Sequence, residues 1–337
     1  NVVRWEKRPR AFLRWSEFLW QEGHTVFASE EEARAEVDKM LGIYKDVYEF
    51  MAIPTFTGRK SEKEKFAGAV MTKTAEVMAR DGKAIQGATS HYLGTNFAQV
   101  FDVKYLGSDG KFHFGHQNSW GLSWRSVGAV IMVHGDDHGL RLPPNIAPVQ
   151  IAIIPIYRET GEQEKVIAYC QKIKSSLGDY RIKIDDREGQ TPGFKFNYWE
   201  VRGVPVRFEI GPKEANEEKI TVFRRDNGSK EVVSFSELNQ YIKNLLISIH
   251  DNLYNQALEF SEKNINRIED WSEIANQTGW FEASWSEDPE TEIMLKEKYG
   301  IVSRVMLEKN EKIPPKNKKC FISGKEAKHD WLFAKCY

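Results

Sequence analysis

Only three cysteines occur in 337 residues, Cys170, Cys320 and Cys336. So few and so scattered a set builds no disulfide framework and favours a reducing compartment, so a cytoplasmic location is expected. No apolar run approaches the roughly 18–20 residues that cross a bilayer, so no membrane partner is expected. No leader-type segment is visible either. Neither sign of charge is in excess: 48 basic residues face 49 acidic ones, for a net charge of −1. That balance does not exclude nucleic-acid binding, which depends on a local basic face. Hydrophobic residues are plentiful, at 41% with 12% aromatics, enough for cores in two or three domains. The chain begins at Asn1 instead of Met and enters a core-like strand at once. The start is therefore read as a cut.

Ser29-Glu30-Glu31-Glu32 is a helix-capping signature. Val37, Met40, Leu41, Tyr44, Val47, Tyr48 and Met51 recur after it at helical spacing, which predicts a helix over 30–51. A second helix is expected near 72–80. Residues 97–120 read as two strands joined at Ser108-Asp109-Gly110, and 125–136 as a buried helix. Pro143 and Pro144 break both helix and ladder, so a linker is placed at 143–148. Beyond it "VQIAIIPIY" (149–157), a helix to Gly178, "YRIKIDD" (180–186), a helix over 192–202 and "VPVRFEIGP" (204–212) alternate. That rhythm indicates a small parallel or mixed sheet with helices on it, within a region 149–250. Residues 251–337 form a third region.

The opening stretch, "VVRWEKRPRAFLRWSEFLWQEGHT" (2–25), carries charge where a buried hairpin should not. Alternation places Arg4 and Glu6 on one face. On the returning limb Arg14, Phe18 and Glu22 are spaced by four and share a face of an extended strand. Buried unpaired charge is costly, so the face calls for a ligand, or for cross-strand salt bridges on a solvated surface. A polyphosphate nucleotide suits the first alternative, with guanidinium for phosphate, phenyl for purine and carboxylate for an exocyclic amine.

Arg-x-Glu, a loop, and Arg-x-x-x-Phe-x-x-x-Glu resemble the second signature motif of class II aminoacyl-tRNA synthetases. "FLWQEGHT" (18–25), "KFAG" (65–68), "TSHYLGTNFAQVFDVKY" (89–105) and "QNSWGLSWRSVGAVIMVHGDDHGLRLPP" (117–144) together resemble prolyl-tRNA synthetase of the archaeal and eukaryotic-like type. The stretch before Gln86 is too short for the editing domain of bacterial-type relatives. The resemblance implies an α/β fold. A partial class II catalytic domain (1–142), an antiparallel sheet with helices, would precede an α/β anticodon-binding domain (149–250) and a small α+β C-terminal domain (251–337). It implies proline activation by ATP and transfer to tRNA(Pro), with ATP-associated Mg²⁺ and a homodimer.

By that resemblance Arg4 clamps the α-phosphate and the proline carboxylate, Glu6 meets the adenine amine, Arg14 the γ-phosphate, and Phe18 one adenine face. Arg125 covers the other face, and Gln86, Thr89 and Ser123 complete the ATP site. Trp20, Glu22, His24, His91 and Ser123 line the proline pocket. Arg187, Lys195, Glu200 and Arg202 are candidates for reading unstacked anticodon bases, although charged runs often only face water. Relatives often hold zinc through four cysteines. Here the positions are Ser286, Thr291, Cys320 and Ser323, and one thiolate makes no structural zinc site, so none is expected. Tyr337 matches the family's terminal tyrosine. The first signature motif and a Thr-x-Glu loop would lie upstream, in a region expected to exist, without which these 337 residues would be poorly active. An inert tRNA-binding relative, or a sister synthetase for another amino acid, remain the alternatives.

Overall fold

In the computed structural model, which describes every residue except Arg4, Glu159 and Thr278, the chain opens with two short strands. These are β1 (Val2–Val3) and β2 (Glu17–Phe18), paired antiparallel with Val2 opposite Phe18. The expected longer hairpin is shorter because the loop folds on itself, with Arg10 bridging Arg14. β3 (Trp20–Phe27) follows. The helix α1 (Glu30–Phe50) starts as predicted, with Ser29 Oγ accepting the Glu32 amide at 3.2 Å. It buries Val37, Leu41, Tyr44 and Tyr48.

Next come β4 (Phe56–Arg59), β5 (Met71–Met78) and β6 (Ala84–Gly94). Residues 72–80 are thus a strand and not the expected helix. Thr72, Thr74 and Glu76 alternate with Ala75 and Val77 and all five are buried, but Lys73 on the apolar side breaks the period of two. The segment 97–120 also differs from expectation. It holds α2 (Asn96–Phe101), the short hairpin β7 (Lys104–Leu106) and β8 (Phe112–Phe114), and the start of β9 (His116–Ser123). α3 (Arg125–His134) matches the buried helix read from the sequence.

The middle of the chain holds β10 (Ile151–Pro155), α4 (Thr160–Ser176), β11 (Ile182–Ile184), α5 (Pro192–Val201), β12 (Val206–Ile210), α6 (Pro212–Glu217), β13 (Lys219–Arg224), β14 (Lys230–Ser234) and α7 (Leu238–Lys263). The remainder is β15 (Ile265–Arg267), β16 (Trp280–Trp285), α8 (Pro289–Tyr299), β17 (Ile301–Leu307) and β18 (His329–Lys335).

Contacts divide the chain into two compact units: 1–49, 53–133 and 258–337 in one, 50–52 and 134–257 in the other. The first is built on a nine-stranded sheet in the order β15-β16-β18-β17-β4-β5-β6-β9-β3. It is antiparallel except at β15–β16. Residues 265–335 thereby continue the sheet of residues 20–123 through β17, where Met306 faces Arg59. The second unit carries a five-stranded mixed sheet, β11-β10-β12-β13-β14, with β10 parallel to both neighbours. Its core joins Ile151, Ile153, Phe208 and Ile210 to Ile173 and Leu245. In this unit Asp136 is held by Arg225, whose Nη1 donates at 2.8 Å. No described helix is long and apolar enough to cross a membrane.

Candidate active site

The register of the first unit's sheet gathers polar side chains in rows on one face. Thr72 lies opposite His91, His91 opposite Ser119, and Ser119 opposite His24. In the next row Thr74 faces Thr89, Thr89 faces Gly121, and Gly121 faces Glu22. Trp20 pairs with Ser123 at the end nearest α3. Strand alternation makes each row share a side.

Gln86 and Thr89 are three apart and would point to opposite faces of a regular strand. The pairing shifts between Ala75 and Glu76, so that Ala88 faces Ala75 and Gln86 faces Glu76, leaving Gly87 as the extra residue of a bulge. The bulge turns Gln86 to the side of Thr89. A Cβ at Gly87 would stand 2.7 Å from Cζ of Tyr48, which is fully buried. The glycine is therefore a steric requirement.

These rows floor a cavity of about 600 Å³. Of the residues expected at the site, Phe18, Trp20, Glu22, His24, Gln86, Thr89, His91, Ser123 and Arg125 all line it. Arg125 is the first residue of α3, and its Nε donates to the Leu13 carbonyl at 3.1 Å. Glu22 pairs with His24 at 3.0 Å. Glu6 and Arg14 are not brought to the lining. They pair with one another at 3.3 Å, with the Arg14 side chain half exposed. Arg14 lies outside any strand and Phe18 and Glu22 fall on the separate strands β2 and β3, so the shared strand face expected for the three is not formed, although Phe18 and Glu22 meet at the cavity. Arg4 lies outside the described residues.

On the same face of β5 as Thr72 and Thr74 lies a charge cluster that the sequence gives no sign of. Glu76 is fully buried and pairs with Lys60 at 2.7 Å and with Nε of Arg304 at 3.0 Å. Burial alone would raise its pKa, but the Arg304 and Lys60 cations hold it below the ordinary value. Lys60 also lines the cavity, as do Glu64, Phe66, Thr72 and Trp120. Phe66 stands in the "KFAG" stretch, so its position was visible. Thr72 and Glu76 were hidden by the helical reading of 72–80.

In the second unit Thr191 caps α5, accepting from the Phe194 amide at 3.3 Å. Arg187 makes two hydrogen bonds of 2.7 Å to Asp185 and lies 4.0 Å over the Tyr198 ring. Arg202 sits 3.5 Å over the same ring. Lys195 is buried, and its ammonium donates to the Asp185 carbonyl at 3.0 Å. Glu200 approaches Arg207 and His138 at 4.0 Å.

In the first unit, Ser286 and Ser323 hydrogen-bond the Cys320 thiol and lower its pKa against burial. Thr291 is committed elsewhere, accepting from Trp285 Nε1 and donating to the Asp288 carbonyl. One thiol and two hydroxyls do not fit a structural zinc ion. Among the described residues, no group of three or more His, Cys, Asp or Glu is gathered.

Family models match the chain in three stretches. They are the tRNA synthetase class II core domain (G, H, P, S and T) over residues 1–134, an anticodon binding domain over 150–245, and the prolyl-tRNA synthetase C-terminal domain over 268–337. The chain is 44% identical to a proline–tRNA ligase of Flavobacterium psychrophilum, across all of this chain and 69% of the relative. It is 43% identical to proline–tRNA ligase 2 of Bacillus cereus, covering 71% of it. Among solved structures, it superposes on prolyl-tRNA synthetase of Cryptosporidium parvum complexed with L-proline and AMP. The TM-score is 0.93 at 39% identity, over all of this chain and 73% of that one.

Proposed function

This chain belongs to the prolyl-tRNA synthetase family, and on that premise we propose that the cavity floored by β3, β5, β6 and β9 is where proline is activated by ATP. The activity is proline–tRNA ligation: ATP converts proline to prolyl-adenylate, and the prolyl group passes to tRNA. One observation carries the assignment to this cavity. Sheet register and one bulge bring nine side chains from three separated sequence stretches onto one lining.

In the first step a proline carboxylate oxygen attacks the α-phosphorus of ATP and the bond to pyrophosphate breaks. In the second, a hydroxyl of the 3′-terminal ribose attacks the acyl carbon and AMP leaves. Such chemistry asks the protein for positioning and charge stabilisation, with no protein nucleophile. Phe18 and Arg125 cover the two faces of adenine. Gln86, Thr89 and Ser123 supply polar contacts to ribose and phosphate. Glu22, at the amino-acid end with Trp20, His24 and His91, suits the secondary ammonium of proline. Arg4, Glu6 and Arg14 belong to the same constellation by their motif, with Arg4 at the α-phosphate and carboxylate, Glu6 at the adenine amine and Arg14 at the γ-phosphate. ATP enters with Mg²⁺, which offsets charge on the departing pyrophosphate.

The tRNA(Pro) anticodon is read on the second unit. There Arg187 and Arg202, both stacked over the Tyr198 ring, offer guanidinium planes and donors to an unstacked base. Lys195 and Glu200 hold α5 behind them. A cytoplasmic homodimer is part of the same reading. It is supported by exposed apolar side chains at Val3 and Val26 on the first strands and at Trp5 just after β1, and by three free cysteines.

Amino-acid-dependent ATP–pyrophosphate exchange tests the assignment. Proline is expected to drive exchange, and Arg125→Ala to lower its kcat/KM by about 10–10²-fold, the scale for losing one stacking partner of a base. Exchange driven by another amino acid, or unaffected by Arg125→Ala, overturns it.

A further inference from the structure

Thr72 stands in none of the sequence motifs, yet it pairs directly with His91 across β5 and β6. It is only 2% exposed, so its hydroxyl must be satisfied within the protein. The Phe66 amide donates to Oγ1 at 3.0 Å. An amide N–H can only donate, so that bond uses an oxygen lone pair and leaves the hydroxyl proton to be placed. Nδ1 of His91 lies 2.9 Å away. Among the described residues, Thr72 Oγ1 makes no other side-chain hydrogen bond. If Nδ1 carried the ring proton, the hydroxyl proton would be buried without an acceptor, which is the costly arrangement. The proton therefore runs from Thr72 to Nδ1, and the ring's own proton sits on Nε2.

We propose that Thr72 is a positioning residue that locks neutral His91 in its Nε2–H tautomer, giving the amino-acid end of the cavity a fixed hydrogen-bond donor for a carboxylate oxygen of the substrate. Burial holds the His91 pKa down to about 4, which keeps the ring neutral near pH 7. The ring lines the cavity, and Nε2 is hydrogen-bonded to no described residue. A neutral donor complements Glu22, whose charge suits the ammonium end of the same ligand. The hydroxyl also sets a second wall: the amide it accepts from belongs to Phe66, whose ring centroid is 5.0 Å from the imidazole. The substrate part of this proposal rests on reading the cavity as the proline site.

Two measurements on the full chain test it. The first is the pair of ¹⁵N imidazole shifts of His91, identified by their loss in His91→Gln. The wild type and Thr72→Ser are expected to show an acceptor-type Nδ1 and a protonated Nε2, whereas Thr72→Val shows a tautomer mixture. The second is pyrophosphate exchange. Thr72→Val is expected to raise the proline KM about ten-fold, the scale of one lost hydrogen bond, with kcat and the ATP KM within about two-fold. Thr72→Ser is expected to restore the wild-type proline KM. A wild-type Nδ1–H signal overturns the proposal, as does an unchanged proline KM in a folded Thr72→Val. If that variant fails to fold, the wild-type and Thr72→Ser spectra decide. A wild type inert toward proline removes the substrate reading alone, because the tautomer is read without substrate.

Discussion

Asp136 shows how one carboxylate can carry acid sensitivity. Hydrogen bonds from Arg225 lead in lowering its pKa to about 2, against partial burial and with help from the His138 amide. A free aspartate titrates near 3.9, roughly, so the folded chain holds its proton less tightly than the unfolded one. The stabilisation is complete above about pH 4 and is lost as the pH falls toward 2. Asp136→Asn is expected to flatten that limb. Urea midpoints between pH 2 and pH 5 check it: the wild type should lose more stability over the interval than the variant. An equal slope in both would show that the Arg225 pair contributes nothing.

Within β6, the bulge at Gly87 converts a parity mismatch into a site. Gly87→Ala places a methyl against the immobile ring of Tyr48, and overpacking of this kind costs about 1–3 kcal/mol. The expected outcome is a lower denaturation midpoint together with weaker ATP binding, since straightening the bulge turns Gln86 away from Thr89. Calorimetric titration with ATP checks the second part. This element also shows what a sequence discloses. The helix over 30–51 was legible because only one stripe of it is buried. The pocket residues of β3 and β9 were legible through motif spacing. β5 was not, because Lys73 interrupts the alternation of Thr72, Thr74 and Glu76 with Ala75 and Val77, and Thr72 and Glu76 were lost with it. Glu6 and Arg14 share the motif with Phe18 and Glu22, but spacing says nothing of a loop that curls and lets the two ions pair.

Across the first unit, the sheet joins residues far apart in the chain. β17 docks on β4, and Arg304 supplies a guanidinium that keeps the buried Glu76 charged. Nothing in "IVSRVML" (301–307) marks Arg304 for that task, because its partner is 228 residues away. Arg304→Met is expected to destabilise the unit by about 3–5 kcal/mol, the cost of leaving a buried ion short of its partner. The double change Glu76→Gln with Arg304→Met should recover part of that loss. Urea unfolding of the wild type, both single variants and the double variant measures both, and additive losses would refute the coupling.

The same docking dictates an order of events during synthesis. A nascent chain presents β4, β5 and β6 long before residue 301 has been made, so Glu76 waits in a half-built layer whose edge is open to the solvent. The Glu76 cluster is complete only when β17 has been made and has docked on β4. An enzyme that supplies amino acids to translation would thus carry a carboxylate short of one cation beside its own active site until residue 304 has been made.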